Sequence, residues 1–179
     1  MKPTGIVRRI DELGRVVIPK EIRRTLRLRD GEPMEIYTGM DGEVVFKKYS
    51  PVGDVGKFTA QYAEAINKSS GIPVVICDKD SVIAVSGASK KDYLEKPIST
   101  SLSELLEKRQ SFIAKNPIDA PSITADGEGK VSCLSPIVAD GTVVGGVISV
   151  AGPSGHIPGE TEQKLISTGA FFLSKQLEV

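Results

Sequence analysis

Nine basic residues crowd the first 29 positions of the chain: Lys2, Arg8, Arg9, Arg15, Lys20, Arg23, Arg24, Arg27 and Arg29. Only three acids stand among them, Asp11, Glu12 and Glu21, which leaves a net charge of +6. Arginine keeps its charge at any cellular pH and offers a planar fork of N–H donors that suits phosphates and guanine edges. Over the whole sequence 23 basic residues balance 23 acidic ones. Residues 51–179 carry 12 basic and 15 acidic residues, a net of −3. A basic end on a neutral chain indicates that one part meets a polyanion and the rest does not.

Other chemistries find less material. Cys77 and Cys133 are the only cysteines and His156 is the only histidine, so one chain cannot build a Cys/His zinc site. Both cysteines lie in apolar runs and read as reduced, buried strand residues. His156 has no carboxylate or nucleophile close by in sequence. Asp78 and Asp80 flank a turn and read as turn chemistry rather than an acid–base pair. Gly145-Gly146 and the glycines around residues 152–155 fit neither a Walker loop nor a dinucleotide fingerprint. They read as strand-packing glycines and a surface loop. No enzyme activity, metal or cofactor is expected. No apolar run approaches the ~20 residues needed to cross a membrane, and no apolar signal core follows Met1-Lys2-Pro3. A cytoplasmic protein is the expectation.

The elements that must carry the arginines follow from local patterns. Residues 5–10 and 15–18 read as short strands around an Asp11–Gly14 turn. Periodicity leaves open which of Arg8 and Arg9 faces outward. Pro19 suits the start of a helix running to about Leu28, with Ile22 and Leu26 on one face and Arg23, Arg24 and Arg27 on the opposite arc. Strands at 33–38 and 43–48 flank a Gly39–Gly42 turn. A unit of this size with few large apolar residues is marginal alone, and with no disulfide or metal, dimerisation is the remaining way to complete a core.

Residues 1–50 therefore read as one domain, 51–53 as a linker and 54–179 as a second domain. The second begins with an amphipathic helix from Asp54 to Ser69, ended by Gly71. Strands at 74–77 and 82–85, a helix at 103–109, a hairpin of 130–138 with 142–150, and a helix at 160–177 follow. That order describes an α+β domain.

The stretch Leu13-Gly-Arg-Val-Val-Ile-Pro-Lys-Glu-Ile-Arg23, within residues 5–24, resembles the AbrB family of bacterial transition-state regulators. The likeness covers about residues 1–50, and with its second domain the whole chain is similar to sporulation regulators of that family. The resemblance implies a swapped-hairpin dimer that binds A/T-rich double-stranded DNA, and selects Arg8, Arg15, Arg23 and Arg24 as DNA-binding residues. Lys20 and Arg27 would add backbone contacts. It also implies activation and repression of forespore genes. Residues 73–87 and 137–150 resemble a GAF domain, which implies a small-molecule effector or an assembly role. The flanking helices of that domain could join dimers into a tetramer. Two rivals remain: a swapped-hairpin antitoxin, and a small-molecule-binding protein whose activity lies in residues 54–179.

Overall fold

The computed structural model describes residues 4–54, 56–116, 119–152 and 157–178. His156 lies outside them. The chain divides into two compact units, Met1–Tyr49 and Ser50–Val179.

In the first unit, helix α1 spans Lys20–Thr25, with Pro19 at its N-cap. It is shorter than the apolar spacing suggests, because Arg27 turns into the left-handed region at φ +53°. Arg27 N then bonds Arg24 O at 3.2 Å and Leu28 N bonds Arg23 O at 2.7 Å. This pair of bonds is a Schellman termination, with an arginine where glycine is usual. Strands β1 (Met34–Thr38) and β2 (Val44–Lys48) form an antiparallel hairpin with Met34 opposite Lys48. Lys48 Nζ reaches Arg27 O at 3.0 Å and Glu32 at 3.5 Å, tying the hairpin to the end of α1. Residues 5–10 and 15–18, expected as strands, form none among the described residues. A strand exists only when its N–H and C=O groups find a partner ladder, and this single chain provides none for them.

The second unit opens with α2 (Pro51–Asp54), so the segment read as a connection is helical. Val52 within it is fully buried in the unit's core. Helix α3 (Gly56–Ser70) ends where Gly71, at φ +73°, bonds back to Asn67 O at 2.8 Å. Then come β3 (Val74–Asp78), β4 (Val82–Ser86), α4 (Lys90–Tyr93), α5 (Thr100–Glu107), β5 (Phe112–Ile113), β6 (Val131–Ala139), β7 (Thr142–Val150) and α6 (Glu160–Leu177). One antiparallel sheet has the order β4-β3-β7-β6-β5.

Both faces of that sheet are covered. Val74 and Ile76 join Ala63, Ile66, Ile166 and Leu173 of α3 and α6 in one cluster. Val75 and Cys77 turn to the other face and pack with Leu102, Leu106 and Ile123. A strand buried on two faces has no reason to alternate with polar residues. The paired glycines serve close packing. A Cβ at Gly145 would come within 2.1 Å of Cys77 O, and one at Gly146 within 2.9 Å of Leu106 and Leu134.

Candidate nucleic-acid interface

Lys20, Arg23 and Arg24 lie at positions i, i+3 and i+4 of α1, on the face opposite Ile22. Arg27 follows at the helix end. Arg8, Arg15, Lys20, Arg23, Arg24 and Arg27 are all exposed, as is Arg9. Two of the four principal candidates are engaged. Arg15 Nε lies 2.8 Å from Asp11 Oδ2, and Arg23 Nη1 lies 3.0 Å from Asp30 Oδ1. Among the described residues no carboxylate pairs with Arg8, Arg9, Lys20, Arg24 or Arg27. Both Arg8 and Arg9 are open to solvent, so the single chain does not separate them. The partners Asp11 and Asp30 escape a sequence reading that counts acids only as opposing charge. Their spacing of four and seven residues from the arginines they bind was the available signal.

Apolar groups surround these cations. Val7, Ile10, Leu13 and Val17 are each at least 69% exposed, and Ile36, Phe46 and Leu26 are also uncovered. Among the described residues before Ser50, no large hydrophobic side chain is buried. Leaving this much apolar surface in water is unfavourable at about 25 cal/mol per Å2. The first unit is thus a charged face on an unfinished core.

The second unit carries more acids than bases, 15 against 12 over residues 51–179. Asp78 acts as turn chemistry: its Oδ1 accepts the N–H groups of Asp80 and Ser81 at 2.8 and 2.7 Å, and its Oδ2 accepts the Ser50 hydroxyl at 2.9 Å. Both cysteines are free thiols buried among strands, and burial pushes Cys77 up to about 12 and Cys133 to about 11. Among the described residues no three His, Cys, Asp or Glu side chains gather to hold a metal ion. No helix is long and apolar enough to cross a membrane among the same residues. A cleft of about 320 Å3 opens between β6 and the start of α6, lined by Ile113, Cys133, Leu134, Gln163 and Lys164 among others.

Comparison with known proteins decides the family. Residues 54–178 match the family described as stage V sporulation protein T C-terminal, transcription factor. Stage V sporulation protein T of Bacillus subtilis (strain 168) is 49% identical over 179 residues, covering 99% of each chain. The chain belongs to the stage V sporulation protein T family of transcription factors.

The two units of this family member have different relatives. Residues 7–54 match the family described as antidote-toxin recognition MazE, bacterial antitoxin. The transition state regulatory protein AbrB of Bacillus subtilis is 57% identical over 51 residues, covering 28% of this chain and 52% of AbrB. The first unit is therefore AbrB-like. The blue-light absorbing form of the PixJ GAF domain of Thermosynechococcus elongatus superposes with a TM-score of 0.54 at 15% identity, covering 72% of this chain and 90% of that one. At that identity the likeness concerns the fold, and the second unit is GAF-like.

Proposed function

We propose that this chain acts in the cytoplasm as a homo-oligomer that binds A/T-rich double-stranded DNA and both activates and represses sporulation genes in the forespore. Arg8, Arg15, Arg23 and Arg24 hold the DNA, and Lys20 and Arg27 add attraction to its backbone. Two copies of the first unit form the binding body, with residues 5–10 and 15–18 of each supplying strands to the other. Two-fold duplication turns four principal arginines into eight, enough to span several phosphates. The GAF-like unit joins dimers into a tetramer and responds to a small-molecule effector, for which the cleft beside Lys164 is a candidate site.

The observation that carries this reading is the coincidence of exposed guanidinium groups and uncovered apolar side chains in one small unit. Duplex DNA fits better than single strands, because the arginine face carries few aromatic rings for base stacking. The helix that carries Arg23 and Arg24 is only six residues long, so preference comes from groove shape and bendability, while arginines set position on phosphates.

A toxin-neutralising role has one specific support, the antitoxin-family match over residues 7–54. Against it stands a folded second unit in place of a short tail, itself matched over 54–178 to a transcription-factor family. Sedimentation of the fragment 1–53 tests the assembly: a dimer that shifts labelled duplex is the expected result. A monomeric or unfolded fragment would remove the dimer from the proposal. By light scattering, loss of residues 54–179 is expected to take the assembly from four chains to two.

A further inference from the structure

One carboxylate holds the turn that carries Arg15. Asp11 N donates to Arg15 O at 3.1 Å and Gly14 N donates to Asp11 O at 2.9 Å, with Gly14 at φ +76°. Within this loop Asp11 Oδ1 accepts the N–H groups of Leu13 at 3.0 Å and Arg15 at 2.8 Å. Its other oxygen accepts Arg15 Nε at 2.8 Å. Every residue from Thr4 to Val17 is exposed in the single chain, so no packing within that chain shapes the Asp11–Gly14 turn. The Asp11 bonds do. The Arg15 backbone N–H, and then its side chain, hold the Asp11 carboxyl below the usual carboxylate range, so it is charged at neutral pH.

An isolated exposed ion pair contributes little. Asp11 differs, because two backbone N–H groups have already fixed its carboxylate where the guanidinium meets it. The bond to Nε also leaves both Nη groups of Arg15 available, and these form the end of the fork that reaches a phosphate or a guanine edge. The Arg23–Asp30 pair has the opposite character. There a terminal Nη is itself occupied, and the Asp30 side chain, 95% exposed, takes no other bond among the described residues. Asp30 competes with DNA for its arginine, whereas Asp11 holds its arginine by the side that DNA does not need.

We infer that Asp11 is a positioning residue for DNA binding, an acid on a basic face that fixes the turn and aims the Nη groups of Arg15 at duplex DNA. This rests on the DNA-binding reading above. The sign of one substitution tests it. Simple Coulomb attraction says that removing a negative charge from this face tightens binding. Loss of a positioning residue weakens it.

The experiment measures anisotropy of a labelled A/T-rich duplex with the full chain, Asp11→Asn, Arg15→Ala and the double variant, across a range of salt. Asparagine keeps a side-chain oxygen for the two backbone N–H groups but removes the charge facing Arg15. Asp11→Asn is expected to weaken binding roughly tenfold. Its salt slope should fall by about one unit for each phosphate that the protein no longer neutralises. In the Arg15→Ala background the same change should cause no further weakening. Affinity equal to or tighter than the parent's would overturn the positioning role and leave DNA binding itself in place. An equal weakening in both backgrounds would do the same, since it would mark a general folding defect. Failure of both the parent chain and the fragment 1–53 to bind duplex even at low salt would overturn both readings.

Discussion

Ser149 Oγ lies 2.6 Å from Glu162 Oε1, joining the middle sheet strand β7 to the first turn of α6 through a buried carboxylate. Ser132 Oγ donates to the same oxygen at 2.8 Å, and Ser149 Oγ in turn accepts Cys133 N at 3.0 Å. The three bonds meet where the β6–β7 ladder shifts register between Val131 and Cys133. A carboxylate there also faces the positive end of the α6 dipole.

Replacing Glu162 with alanine would take the acceptor from two buried serine O–H groups, leaving Ser149 Oγ only the Cys133 N–H. The second unit should lose about 2–4 kcal/mol, seen by calorimetry as a fall of several degrees in its Tm. An unchanged Tm would mean that the network does not hold α6 in place.

Arg27 occupies a position where a side chain is strained by the left-handed backbone. Arg27→Gly should stabilise the first unit by about 1 kcal/mol in a denaturant titration, even though a cation is lost. The same variant should bind duplex DNA slightly less tightly. Opposite movement of stability and affinity is the signature, and a destabilised variant would contradict the Schellman account of this helix end.

The two thiols set an alkaline limit on stability. Burial is the main cause of both raised values, assisted by Asp78 beside Cys77 and by Glu162 beside Cys133. An unfolded thiol ionises near its ordinary value of 9, while the folded ones stay protonated to about 12 and about 11. A raised folded value favours the fold fully below the unfolded one, and that contribution is lost as pH rises towards the folded value. Denaturation midpoints should therefore fall above pH 9, and Cys77→Ala should flatten the fall. At pH 8 both thiols should resist alkylation until the chain is unfolded.

Much of the second unit is legible in its sequence. The apolar runs of β3, β4, β6 and β7 are covered on both sides, and the Gly71 and Asp140-Gly141 turns mark real chain reversals. Helix α5 begins earlier than its apolar spacing indicates, because the Ser99 hydroxyl caps it by accepting Leu102 N. The burial of Glu162 is hidden, since an acid on an amphipathic helix reads as solvated and its serine partners come from strands distant in sequence. In the first unit the pattern at 5–10 and 15–18 reports a preference for pairing but cannot supply the partner. The arginines are visible as residue types. Which of them are engaged is not, because Asp11 and Asp30 become hydrogen-bond partners only once the turns fold.

The most direct test of the central claim is the salt dependence of binding between the full chain and an A/T-rich duplex, measured by anisotropy. Each neutralised phosphate adds ~0.9 to the magnitude of the log–log slope. The account predicts tight binding with a slope of several units, reduced by Arg24→Ala, whose side chain has no described ion-pair partner to give up. Absence of binding at low salt, by both the full chain and the fragment 1–53, would contradict it.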